Sequence, residues 1–135
     1  MPKKVAGFTI LELIVVCVIV GILAALGLGS FAGPKEQAAD REAQANLKLI
    51  SSAEKVYKME IGQYFPCVNT TEINNNLRLM LSTSDTNWRY KVTTNSGNTT
   101  FQANARRITN PTSSKVFCIN DTQDNATNTG CVAPW

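Results

Sequence analysis

The chain has 135 residues, 13 Lys and Arg against 10 Asp and Glu, and no histidine. That length holds one small domain. The lack of histidine removes the commonest general base and metal ligand. No glycine-rich phosphate loop, nucleophile elbow or paired-cysteine metal spacing occurs either, so the chain reads as a non-enzyme. With Lys3 and Lys4 set aside, 11 cationic side chains face 10 anionic ones, a formal +1. No dense basic patch remains, no nucleic-acid partner is indicated, and Arg106-Arg107 reads as a solvated strand end.

The composition is divided. Residues 8–33 are almost entirely apolar, whereas the chain beyond Pro34 is polar and rich in Asn, Thr and Ser. Leu13 to Gly29 is a run of 17 residues without a charge. As a helix it reaches about 26 Å, and its apolar flanks extend it across a hydrocarbon core of about 30 Å. Lys3 and Lys4 precede it, which leaves the N-terminus cytoplasmic and exports the rest. The run is rich in β-branched residues, yet lipid demands internally satisfied backbone bonds, so a helix is expected. Glu12 interrupts the pattern. An ionised carboxylate at mid-membrane costs about 2.5–3.5 kcal/mol, less near the cytoplasmic end, and a cationic partner in the membrane or in an assembly explains it most simply.

Gly7-Phe8-Thr9-Ile10-Leu11-Glu12, after a short basic leader and at the head of a long apolar helix, resembles the class III signal of type IV pilins and type II secretion pseudopilins. The resemblance implies cleavage between Gly7 and Phe8 by a prepilin peptidase and N-methylation of the new Phe8 amine. It also implies that Glu12 neutralises the Phe8 ammonium of a neighbouring subunit during assembly. The competing reading is an ordinary secretory signal peptide with small residues at Ala25-Leu26-Gly27. The apolar run, however, exceeds the usual h-region of about 7–15 residues and contains a carboxylate.

Gly27, Gly29, Gly33 and Pro34 cluster where the span ends and soften the helix, as a hinge or a plain interface boundary. An amphipathic helix follows. Ala39, Ala43, Leu47, Ile50, Ala53 or Glu54, Tyr57 and Ile61 recur at three- and four-residue steps, with Arg41, Gln44, Lys48 and Lys58 on the other face. Gly62 is the expected stop. One helix from Phe8 to Ile61 would extend roughly 80 Å.

In the remainder, Asn69 and Glu72 form a capping pair for a short helix holding Ile73, Leu77, Met80 and Leu81. Three strands follow, marked by Trp88, Tyr90 and Val92, by Phe101, Ala103 and Ala105, and by Val116 to Ile119. Asn95-Ser96-Gly97-Asn98 is a hairpin turn and Asn110-Pro111 opens the next connection. Cys17 lies in the apolar run and is expected to pack as a small hydrophobe. Cys67, Cys118 and Cys131 allow one disulfide with three possible pairings. Cys118–Cys131 is preferred because it closes a turn-rich loop, which leaves Cys67 free. Asp121 and Asp124 carry only a weak calcium signal, at a spacing that matches no known loop, so no cofactor or metal is assigned.

The expected fold class is α+β: a long N-terminal transmembrane and amphipathic helix packed on a small antiparallel sheet, pilin-like by the resemblance. The layout is a leader (1–7), a membrane and filament-core helix (8–33), its amphipathic continuation (34–62) and an extracytoplasmic head (63–135). The resemblance implies a pilus or pseudopilus subunit in a homo-oligomeric helical filament, built from the inner membrane by an assembly platform and ending in the periplasm or at the cell surface. A minor subunit with an adhesive or DNA-uptake head, and a membrane-anchored protein that never polymerises, are the alternatives.

Overall fold

The structure, a computed structural model, describes residues 7–27, 32–84, 87–108 and 115–131. The chain divides into two compact units, Met1–Lys35 and Glu36–Trp135. Helix α1 (Ile10–Gly27) occupies the first unit, and α2 (Ala32–Ile61) begins there and continues into the second. The second unit also holds α3 (Thr70–Leu77) and strands β1 (Trp88–Thr94), β2 (Phe101–Arg107) and β3 (Val116–Asn120).

Every side chain of α1 from Ile10 to Ala25 is exposed, and all but Glu12 and the small Gly, Ala and Cys residues are large and apolar. A helix that is apolar all round needs surroundings other than water. Among the described residues no helix is long and apolar enough to cross a membrane. The 18 residues of α1 reach about 27 Å at 1.5 Å each, just short of a hydrocarbon core of about 30 Å. The expected span of 8–33 and an unbroken helix to Ile61 both depend on residues 28–31, which lie outside the described residues, as does Gly29 of the expected hinge. Pro34 falls in the first turn of α2, where its missing N–H leaves no hydrogen bond unmade. Cys17, expected to be packed, is exposed along with the rest of α1.

In the second unit the apolar stripe of α2 builds the core. Ala43, Leu47 and Ile50 form one buried cluster with Ile73 and Leu77 of α3, with Trp88, Tyr90 and Val92 of β1, with Phe101, Ala103 and Ala105 of β2, and with Phe117 and Ile119 of β3. The strands run in the order β1-β2-β3, both pairs antiparallel. Tyr90 lies opposite Ala105 and Ala105 opposite Phe117, while Val92, Ala103 and Ile119 form the next row. Alanines on the central strand leave room for the large side chains on either side and for the helix above. The Asn46 amide donates to the Tyr90 hydroxyl at 2.9 Å, tying α2 to β1. Each outer strand is partly covered by one bridge, Cys67 to Val92 and Thr127 to Cys118, which blunts the edges against further pairing. The turn between β1 and β2 is closed by Asn95, whose side-chain oxygen accepts from the Thr99 and Thr100 amides, and by Asn98 at φ 49°.

Several expectations are corrected. Ile61, placed on the core stripe, is 58% exposed. The chain reverses at Gly62, which adopts φ 91°, and Tyr64 returns to the core in its place. Helix α3 has the expected Asn69 cap, the Asn69 oxygen accepting from the Glu72 amide at 2.8 Å, but it stops at Leu77 because Arg78 turns left-handed at φ 54°. Met80 is therefore fully exposed. Leu81 is pulled back into the core, its backbone gripped at both N–H and C=O by the Asn74 amide. Arg107 is not solvated. Its side chain is only 14% exposed, its guanidinium lies 5.3 Å from the Trp88 ring centre, and it sits 3.5 Å from the Asp40 carboxylate.

Candidate functional site

The residues singled out at the N-terminus come together at the start of α1. Residues 7–9 are non-helical and exposed, and a side chain added at Gly7 would meet nothing within 4 Å. The Gly7–Phe8 peptide bond is therefore non-helical and open. Phe8 is 79% exposed.

Helix α1 starts one residue after Thr9 for a definite reason. The Glu12 amide donates to the Thr9 hydroxyl oxygen at 3.3 Å, and the Thr9 amide donates back to the Glu12 carboxylate at 3.1 Å. The Thr9 hydroxyl also donates to that carboxylate oxygen at 2.9 Å. This reciprocal pair is a capping box, which satisfies backbone donors that the first turn leaves open. Glu12 thus has a structural task that the sequence reading missed, although Thr three residues before Glu at the head of an apolar run is its signature. The cap occupies only one carboxylate oxygen, Oε2. It fixes the carboxylate on Thr9, the residue next to Phe8.

Away from this site, Cys118 and Cys131 form a disulfide with Cα atoms 5.5 Å apart, the preferred one of the three pairings. It secures the loop after β3 across the sheet face opposite the helix, where the Gln102 amide also donates to the Gly130 carbonyl at 3.3 Å. Cys67 is free and fully buried, and burial, followed by the nearby Glu54 and Glu72 charges, pushes its thiol up to about 12. Such a thiol is inert. Among the described residues no group of three or more His, Cys, Asp or Glu side chains is placed to hold a metal ion; Asp121 and Asp124 form no such group. Glu54, which the sequence pattern left interchangeable with Ala53, is fully buried.

A family model described as the prokaryotic N-terminal methylation motif matches residues 2–28, which include this whole site. The chain is 37% identical over 62 residues to the type II secretion system core protein G of Aeromonas hydrophila, covering 46% of this chain and 43% of that protein. It is 36% identical over 66 residues to core protein G of Escherichia coli K12, at 49% and 45% coverage. To the type IV major pilin protein of Myxococcus xanthus it is 36% identical over 63 residues, at 47% and 29%. The chain thus spans less than half the length of these curated relatives. No solved structure matches it. Residues 2–28 thus match the N-terminal methylation motif. Over about half of its length the chain is similar to type II secretion system core proteins G and to a type IV major pilin.

Proposed function

We propose that this chain is a structural subunit of a type IV pilus or a type II secretion pseudopilus, not an enzyme. The observation that carries the reading is the position of the methylation motif: an open Gly7–Phe8 bond, a carboxylate four residues beyond Phe8, and an apolar helix whose side chains from Ile10 to Ala25 are exposed. Residues 1–7 are the cytoplasmic leader and residues 8–33 hold the monomer in the inner membrane. Prepilin peptidase cuts after Gly7, and the Phe8 amine is methylated. An assembly platform then withdraws subunits into a helical homopolymer in the periplasm or at the cell surface.

In this reading Glu12 acts twice. Its Oε2 caps its own helix, and the carboxylate attracts the Phe8 ammonium of the next subunit. In the low-dielectric helix core of a filament, that attraction exceeds what the same pair contributes in water. Glu12→Gln keeps the hydrogen-bonding shape of the cap but removes the charge. It is expected to insert into the membrane normally and to yield filaments reduced by an order of magnitude or more. Normal filaments from Glu12→Gln would refute the role of the charge. Mass spectrometry of the mature chain tests processing: a methylated Phe8 supports the reading, whereas a chain that retains Met1 or begins beyond Gly27 overturns it.

A further inference from the structure

Between Tyr64, which is buried and donates its amide to the Asn98 carbonyl at 2.9 Å, and Asn69, which caps α3, residues 65–68 form a strap across the outer edge of β1. Its hold on the strand is a single bridge. The Cys67 amide donates to the Val92 carbonyl at 3.1 Å, and the Val92 amide donates back to the Cys67 carbonyl at 2.7 Å. Beyond the bridge, the Val68 amide donates to the Glu72 carboxylate at 3.0 Å. Ahead of it, the Phe65 peptide is held on both sides. Its N–H donates to Glu54 Oε2 at 3.0 Å, and its carbonyl accepts from the Cys67 thiol at 3.8 Å. Glu54 and Cys67 are both fully buried, so a carboxyl sealed in the core anchors the strap two residues before its bridge.

That carboxyl meets no opposite charge. Its other oxygen, Oε1, is buried with no hydrogen-bond partner among the described residues. Neither Lys55 nor Lys58 on its own helix pairs with it, and Lys58 is turned to the Thr99 carbonyl and the Tyr64 ring. Glu72 of α3 acts on the same thiol as Glu54, so it opposes a second negative charge there. The core residues of the sheet are uncharged, Lys91 stands on the opposite face of β1 from Val92, and Tyr57, Tyr64 and Tyr90 bring only hydroxyls. Burial therefore raises the carboxyl from 4.5 to about 7. Once its proton leaves for solvent, a charge remains in the core that only opening to water relieves. We propose that residues 65–68 are a pH-gated strap over the edge of β1, locked by protonated Glu54 and released when that proton is lost. Release carries Glu54 and the Phe65 peptide to water and breaks the Cys67–Val92 bridge, while the pairing of β1 with β2 persists. It bares the Val92 N–H and C=O together with the Cys67 thiol. An unpaired strand edge accepts another extended segment. The strap closes that edge in acid and frees it as the pH rises from 4.5 through about 7. The device lies within the second unit and holds whether or not the chain polymerises.

Amide hydrogen exchange of the detergent-solubilised full chain, corrected for the intrinsic effect of pH, reads the strap residue by residue. The Cys67 and Val92 amides report the bridge, and those of Ala103 and Ala105 on the central strand report opening of the whole sheet. At pH 8 the bridge amides are expected to be protected about tenfold less than the central ones, or weaker still, because local opening takes less free energy than unfolding. Bridge protection is also expected to fall about tenfold or more between pH 5 and pH 8. Glu54→Gln keeps an acceptor for the Phe65 amide, carries no charge, and is expected to lose that dependence. Equal protection of bridge and central amides at pH 8 overturns the strap, because the core then opens only as a whole. Bridge protection that is the same at both pH values overturns the gate. A dependence that survives in Glu54→Gln belongs to another group and overturns the assignment to Glu54. Should Glu54→Gln fail to fold, Glu72→Gln decides: a retained dependence supports Glu54, and its loss overturns that assignment.

Discussion

Glu54 occupies a position on α2 where helical periodicity asks for an apolar side chain, and it is fully buried there. One carboxylate oxygen accepts from the Phe65 amide at 3.0 Å; the other, also buried, has no hydrogen-bond partner among the described residues. Burial dominates, and the single backbone bond only partly offsets it, so the carboxyl is raised from 4.5 to about 7. The folded state thus holds this proton more tightly than the unfolded chain does. The stability it contributes is present below pH 4.5 and is lost as the pH rises through the window between 4.5 and about 7. At 1.36 kcal/mol per unit the loss approaches about 3 kcal/mol at most. Glu54→Gln, uncharged and able to accept the Phe65 amide, is expected to flatten this dependence and to be the more stable form at pH 8. Denaturant unfolding of both detergent-solubilised chains at pH 5 and pH 8 reads this out. Equal slopes against pH would exclude a buried, protonated Glu54. The sequence left positions 53 and 54 interchangeable because the stripe's steps reach 54, where a carboxylate stands, while the apolar residue stands at 53. The helical period turns Glu54 inward, and its hydrogen-bond donor, the Phe65 amide, lies in a loop that no helical period encodes.

At the scale of elements, the strands were readable because only one face of the sheet meets α2, so large apolar residues alternate with polar ones along β1. The alternation weakens on β2 and β3, where Asn104 and Cys118 are buried on the far face as well. Opposite each other in register, these two lie beneath the loop that the disulfide secures. Helix ends were less legible. Met80 and Ile61 both fit a helical period, but whether the period continues is decided by left-handed turns at Arg78 and Gly62. A glycine announces such a turn and an arginine does not. Arg107 was misread for a different reason, since its partner Asp40 lies on α2, far away in sequence. The capping box at Thr9 and Glu12 was fully spelled out, yet an anion in an apolar run draws attention to assembly before local structure. The disulfide closes a loop with a sequence separation of 13, for which loop entropy gives about 3 kcal/mol. Cys131→Ser is therefore expected to lower unfolding stability by about that amount while the β1–β2 pairing persists. A change near zero would show that the loop is already ordered without the bond.

The molecule as a whole joins two units with opposite relations to water. Unit Glu36–Trp135 closes its own core, from Ala43 on α2 to Ile119 on β3. Helix α1, by contrast, shows apolar side chains in every direction and buries none of the large ones. If folding of the head draws only on contacts within the second unit, a fragment of residues 36–135 keeps its whole core cluster and its disulfide. It loses the methylation motif and the helix that the filament reading requires. Such a fragment is expected to be soluble, to unfold in one cooperative step and to form the Cys118–Cys131 bond unaided. It is also expected to remain unassembled at concentrations where the mature chain polymerises. Circular dichroism and sedimentation measure the two halves of that expectation separately. A fragment that fails to fold would assign α1 a part in head stability, because no core residue has been removed. A fragment that folds and still polymerises would place the whole assembly energy in the head, and the apolar helix would then be an anchor alone.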